Sequence, residues 1–216
     1  FIKSRKPDVL FHLATASQLT GRENESWFVN YEWTSELAWL TRTLDIRFVF
    51  TSTVMVFSDN AMGPFTPEST PDASVSYGFE KLQAERRAFY QNPDAVVARL
   101  GWQIGDAPGS NNMIDFFHKQ MQEHGKISAS TRWYPATSFI DDTVVELVRL
   151  AKHGKGLYML DSNAETKATF YQIATVLNSL HGNKWTVTAN QDFVYDQRMI
   201  DARSNIAPLS KRLPSL

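Results

Sequence analysis

Short apolar runs alternate along the chain with longer stretches in which apolar residues recur every three or four positions, the pattern of strands and helices taking turns in a βαβ layout with parallel strands. Val9 to Ala14 follows the Lys-Pro-Asp punctuation and reads as a buried strand, and Phe48, Val49 and Phe50 form a second, closed by the polar Thr51-Ser52-Thr53. Between them Phe28, Tyr31, Ser35, Ala38, Trp39 and Arg42 fall at helical steps, which predicts a crossover helix with an apolar stripe toward the sheet. A Pro- and Gly-containing loop over 58–74 precedes a helix predicted from Ser76 to Tyr90, and Ala95 to Leu100 is the third strong strand. After Gly101 the breakers Gly105, Pro108 and Gly109 interrupt the chain ahead of a helix over Asn112 to His124, so a domain transition is placed here. Asp141-Asp142 reads as N-cap and first-turn charge for a helix from Thr143 to Lys152. Leu157 to Leu160 is a further strand, and Phe170, Ile173, Ala174, Leu177 and Leu180 mark the last clear helix. No period is legible after Asn190, and no repeat or low-complexity tract interrupts the α/β pattern.

Composition narrows the function classes. The 216 residues are 43% hydrophobic, enough to core one large or two small domains, and the net charge of -1 provides no field to draw the chain onto nucleic acid or anionic lipid. Absence of cysteine excludes disulfides, thiolate nucleophiles, iron–sulfur clusters and cysteine-ligated zinc, with the cytoplasm the default compartment. No apolar run approaches the about 18 residues a membrane span needs, and the basic start Phe1 to Lys6 is not followed by a signal-peptide core. The five histidines show no metal-ligand spacing, and His12, on a strand, reads as a core residue. The chain opens at Phe1 rather than Met, which raises the expectation that its true beginning is missing.

Tyr77-Gly-Phe-Glu-Lys81 is the most informative segment, because a tyrosine and a lysine four apart on a helix share one face. A cation beside a phenol favours phenolate, which brings tyrosine toward use as an acid or base near neutrality; the same spacing also occurs as an ordinary surface pair. Thr51-Ser52-Thr53 closes a buried strand at its carboxyl end, where parallel sheets place ligand crevices, and lies one loop before the tyrosine helix. The alternative is that these hydroxyls only cap a strand end.

With these segments the sequence resembles the extended short-chain dehydrogenase/reductases, and within them the dTDP-dehydrorhamnose reductase branch. The resemblance is carried in order by Lys6-Pro-Asp-Val-Leu-Phe-His-Leu-Ala14, Asn30, Thr51-Ser-Thr-Val-Met-Val-Phe57, Tyr77-Gly-Phe-Glu-Lys81, Ala98-Arg-Leu-Gly-Trp102, Gly109-Ser-Asn-Asn112 and Phe139-Ile-Asp-Asp142. It implies a Rossmann-like parallel sheet over 1–101 and about 137–155, and a smaller α+β substrate-binding region over about 102–136 and 156–216. It further implies that Tyr77 moves a proton at a sugar carbonyl or hydroxyl, that Thr53 hydrogen-bonds the same oxygen, that Lys81 binds the nicotinamide ribose and lowers the tyrosine pKa, and that Asn30 helps position the lysine through water. NADP or NAD would run along Ala14, Thr15, Ala16, Thr51, Ser52, Tyr77, Lys81, Leu100 and Gly101, and a nucleotide-sugar substrate along Thr53, Asn111, Asn112, Arg132 and Arg203. For the two asparagines a helix N-cap is an equal alternative, and for the two arginines a solvated surface is the other. A homodimer through the helices is the family habit, and the crossover tryptophans Trp27, Trp33 and Trp39 suit such packing.

Two departures qualify the resemblance. No Gly-x-Gly-x-x-Gly phosphate cradle occurs, since Gly101, Gly105 and Gly109 fall at four-residue spacing after a later strand; the expectation is of a fold without its first βαβ unit. Val54-Met55 stands where rhamnose-type reductases carry Asp-Tyr and dehydratases an acidic pair, which argues against dehydration, and Ser130 to Thr137 lacks the rhamnose-reductase pattern. The reading is an NAD(P)-dependent reductase or epimerase of a nucleotide-activated sugar; the alternative is a non-catalytic regulatory subunit of the same fold.

Overall fold

The computed structural model describes residues 1–16, 19–109 and 111–216. In chain order the elements are α1 (Ile2–Arg5), β1 (Val9–His12), α2 (Glu25–Trp27), a π-helical turn (Phe28–Glu32), α3 (Trp33–Thr43), β2 (Arg47–Thr53), a 3₁₀ turn (Val54–Val56), α4 (Ser76–Gln91), β3 (Val96–Leu100), β4 (Trp102–Ile104) and α5 (Met113–His124). They continue with β5 (Ile127–Ser130), β6 (Trp133–Tyr134), β7 (Thr137–Phe139), α6 (Ile140–His153), β8 (Gly156–Leu160), α7 (Asn163–Thr166), α8 (Phe170–Leu180), β9 (Val187–Asn190), β10 (Tyr195–Asp196) and α9 (Leu209–Arg212). No helix among the described residues is long and apolar enough to cross a membrane.

The chain divides into two compact units, the first made of 1–61, 69–99 and 145–159, the second of 62–68, 100–144 and 160–216. The Rossmann-like parallel sheet is the centre of the first, in the order β1-β2-β3-β8. Ala38, Phe48, Phe50, Ala84, Ala88, Ala95 and Val97 fill one core there, and the alanines on α3 and α4 let both helices lie close to the strands. The second unit is built on the two-stranded pairs β4-β7, β5-β9 and β6-β10 and has an aromatic core, with Phe117, Phe170 and Trp185 among its buried members.

Several boundaries differ from the sequence reading. β1 ends at His12 rather than Ala14, because Ala16 already donates its backbone N–H to the Asn30 side chain instead of to a strand. Residues from 156 onward, expected in the second region, begin with β8, which belongs to the first sheet: the positive φ of Gly156, 87°, turns the chain so that its N–H meets the Ala95 carbonyl at 2.9 Å. Residues 62–68, expected in the first region, join the second through Phe65, whose backbone pairs with Arg198 and Ile200 at 2.8 and 2.7 Å. Helix α6 starts at Ile140, so Asp141 and Asp142 sit within its first turn rather than capping it.

Candidate functional site

Parallel pairing of β1 with β2, from Val9 opposite Arg47 to His12 opposite Phe50, brings the carboxyl ends of both strands to one edge, and β2 runs on past the pairing as Thr51, Ser52 and Thr53, all buried. Thr53 caps the 3₁₀ turn, its Oγ1 accepting from Met55 N at 3.1 Å, and Thr51 Oγ1 donates to the His12 carbonyl at 3.4 Å. Ser52 Oγ is buried with no hydrogen-bond partner among the described residues. Against this turn lies the start of α4: a Cβ on Gly78 would fall well inside contact distance of the Met55 carbonyl oxygen, so glycine is what lets the tyrosine helix come this close to the Thr53 end of the strand. Ser76, immediately before Tyr77, holds a left-handed φ of 55°, a mild strain at the point where the helix begins.

Tyr77 is half-buried and Lys81 is 1% exposed, one helical turn apart on α4. Lys81 Nζ lies 4.2 Å from the centroid of the Phe50 ring and makes no hydrogen bond among the described residues. Burial moves its pKa down to about 7, against the field of Glu85, which favours the ammonium. The expected direction at the tyrosine is reversed. Burial raises the Tyr77 pKa above its usual value, the nearby Glu80 charge adds to the rise, and only the Thr15 side chain works for the phenolate. In this structure the phenol is therefore protonated at neutral pH, the form that gives a proton away. His12, stacked on Phe50 at 5.6 Å and hydrogen-bonded through Nε2 to Thr34 Oγ1 at 3.0 Å, is held neutral by burial and by the neighbouring Lys81, its pKa down to about 4.

Asn30 is fully buried in the π-helical turn. Its Oδ1 accepts from Thr15 Oγ1 and Ala16 N, both at 3.3 Å, and its Nδ2 donates to Glu80 Oε2 at 2.8 Å and to Ser26 Oγ at 3.2 Å, while its carbonyl accepts from Thr34 Oγ1 at 2.9 Å. The structure thus brings Asn30, Thr15, Ala16, Tyr77 and Lys81 to one corner of the first unit, with the Asn30 side chain bonded directly to Thr15 and Ala16. A π turn inside a helix is often found at a functional site, and here it gives Asn30 its place.

The remaining candidates belong to the second unit. Leu100 ends β3, and Gly101 stands where a Cβ would overlap the Ala136 carbonyl, a close approach that permits β4 to pair with β7. Asn112 is the N-cap of α5, its Oδ1 accepting from Ile114 N at 2.8 Å and Asp115 N at 3.1 Å. Asn111 beside it is exposed, with φ 56°. Arg132 is exposed, and Arg203, also exposed, forms an ion pair with Asp201 at 2.8 Å. Sequence reasoning assigned no role to Ser26, Glu80 or Glu85, the last joined to the buried Arg99 at 2.7 Å; Glu80 sits inside the quoted motif, but its partners lie some fifty residues away, where no spacing rule reaches.

The fold is shared with solved enzymes. A dTDP-4-dehydrorhamnose reductase from Clostridium acetobutylicum superposes with a TM-score of 0.77 at 18% identity, over 96% of this chain and 79% of that one. The dTDP-4-dehydrorhamnose reductase from Bacillus anthracis, solved in complex with NADP, gives 0.77 at 15% identity, over 99% and 81%. The ADP-L-glycero-D-manno-heptose-6-epimerase of Helicobacter pylori gives 0.76 at 18%, over 96% and 69%. No curated protein matches in sequence. A family model described as the RmlD substrate binding domain, however, matches residues 1–196, so the segments from Lys6 to Asp142 that carry the resemblance all fall within one match, and the chain belongs to the RmlD substrate binding domain family.

Proposed function

We propose that this chain is an NAD(P)-dependent reductase or epimerase of a nucleotide-activated sugar, with Tyr77 as the acid–base group. The observation that carries this reading is the protonated Tyr77 standing one turn from a desolvated Lys81, on a helix that Gly78 allows against the Thr53 end of β2. In the reducing direction Tyr77 gives its proton to the sugar oxygen, Thr53 Oγ1 hydrogen-bonds that oxygen, and the Lys81 ammonium and the Thr15 hydroxyl stabilise the phenolate left behind. The residues fit a ribosyl dinucleotide: the orphaned Ser52 hydroxyl and the unengaged Lys81 ammonium are buried donors that suit sugar hydroxyls, with Thr51 and the Ala14-Thr15-Ala16 loop beside them. When bound, the nicotinamide supplies or takes the hydride. In the second unit, Asn111 and Arg132 are kept as candidate contacts for the nucleotide, whereas Asn112 and Arg203 are already engaged. The structural relatives, a dTDP-4-dehydrorhamnose reductase in complex with NADP and an ADP-L-glycero-D-manno-heptose-6-epimerase among them, support the substrate class. Homodimerisation belongs to the same proposal, supported by the large exposed aromatic surface of Phe28, Trp33 and Trp39.

Turnover of NADPH or NADH with a panel of nucleotide sugars, dTDP-4-dehydrorhamnose first, is the test. Tyr77→Phe is expected to lower kcat by about 100- to 10,000-fold while cofactor affinity stays near that of the parent. An unchanged kcat would remove Tyr77 from the mechanism. No turnover on any sugar, with dinucleotide still bound, would favour the regulatory-subunit reading, to which the apolar Val54-Met55 also leans.

A further inference from the structure

Between Tyr77 and Lys81 the helix carries a carboxylate to which the mechanism assigns no part. Glu80 Oε2 accepts from Ser26 Oγ at 2.6 Å and from Asn30 Nδ2 at 2.8 Å. A carboxylate only accepts, so it decides which end of the buried Asn30 amide faces it: Nδ2 turns to Glu80, and Oδ1 is left for Thr15 Oγ1 and Ala16 N. Thr15 in turn meets the Tyr77 hydroxyl. We propose that Glu80 is a positioning residue for proton transfer at Tyr77, acting through Asn30 and Thr15 by fixing the Asn30 amide and with it the loop that sets Thr15 beside the phenol. The two ends of this chain of hydrogen bonds act on the phenol with opposite sign, since the Glu80 charge opposes the phenolate and Thr15 favours it. The other charged or titratable groups around this corner are Lys81 on the same helix, His12 at the end of β1, which feels Lys81, and Glu85, which is paired with Arg99 of β3. The catalytic consequence rests on the acid–base role proposed for Tyr77; the positioning does not.

The test is the titration of Tyr77 followed by carbon-13 NMR of its ring Cζ, the signal assigned with Tyr77→Phe, in the parent, Glu80→Gln and Glu80→Ala, alongside the pH profile of turnover with NADPH and dTDP-4-dehydrorhamnose. Glu80→Gln keeps an acceptor for Ser26 and Asn30 but loses the charge, so the phenol titrates at lower pH than in the parent and the alkaline limb of kcat moves down with it. Glu80→Ala loses both charge and anchor; Thr15 is released, the phenol titrates above its position in Glu80→Gln, and kcat falls by about tenfold with KM near the parent value. Equal titration curves in the two variants would overturn the proposal, because the anchor would then do nothing that the charge does not. If the parent turns over no sugar, the proposed activity fails, and the order of the two titrations still decides the positioning.

Discussion

Each unit buries one ionisable side chain whose pKa is drawn to about 7, and the two are held in opposite ways. Asp161, in the second unit, accepts backbone N–H groups from Thr137 at 2.9 Å, Asn163 at 2.8 Å and Met199 at 2.9 Å, so one carboxylate ties together β7, the start of α7 and the stretch after β10. Lys81, in the first, has a ring face and the field of Glu85, with its donors unengaged among the described residues. A buried charge whose bonding capacity is filled by backbone is a structural knot, whereas one held in place without filling that capacity is ready for a ligand. The contrast sets an ionisable group left open beside the proposed acid–base tyrosine against one that only holds its own strands.

Five sets of variants would break or sharpen it. Lys81→Met removes the ammonium and fills its volume with apolar atoms; turnover in the assay above is expected to fall by about 100- to 1,000-fold while thermal unfolding shows a stability equal to the parent's or higher, and loss of stability instead would make Lys81 a second knot. Asp161→Ala should do the reverse, destabilising the protein by about 3 kcal/mol in urea titration because three backbone donors lose their acceptor. Gly78→Ala sets a methyl against the Met55 carbonyl, for a loss of about 1–3 kcal/mol and a lower kcat, since the tyrosine helix must withdraw from Thr53.

A smaller effect concerns pH. Asp161 has its pKa raised from 3.8 to about 7, so its contribution to stability is full below the lower value and is lost as pH rises through 7. Lys81 has its pKa lowered from 10.5 to about 7, so its contribution is full above 10.5 and is lost as pH falls through 7. Melting temperatures recorded against pH should show Asp161→Asn flattening the fall between about 4 and 7, and Lys81→Met flattening the rise between about 7 and 10, each by a few degrees. A slope unchanged in either variant would show that the group titrates elsewhere. The least effect is expected at the capping box of α8, where Thr169→Ala should cost about 1 kcal/mol by the same melting measurement and leave turnover alone.

How much of this was legible depended on range in the chain. Strands β2 and β3 announce themselves as apolar runs because nearly all their residues are buried, whereas β1, read as buried too, buries only His12 and leaves Phe11 exposed; the tyrosine helix is readable because Tyr77 and Lys81 lie one turn apart. The pairs β5-β9 and β6-β10 were not, since strands of two to four residues joined across some sixty positions leave no local period. Asn112 as a cap was foreseen as an alternative, because capping is local. The direction of the Tyr77 pKa was not, because it is set by burial and by Glu80 together with a loop from β1, none of which spacing on a helix reveals.

The π turn at Phe28–Glu32 has a consequence for insertions and deletions. A turn of this kind accommodates one residue beyond the regular count, so removing a single residue from it would restore α-helical spacing and rotate everything on its N-terminal side by about 100° relative to α3. Ser26 would swing away from Glu80, and the indole of Trp27, now 4.3 Å from the Tyr31 ring, would leave that stack. Length in this stretch of chain is therefore under the same constraint as the identity of Asn30: a homologue one residue shorter here would have to place a different side chain against the tyrosine helix.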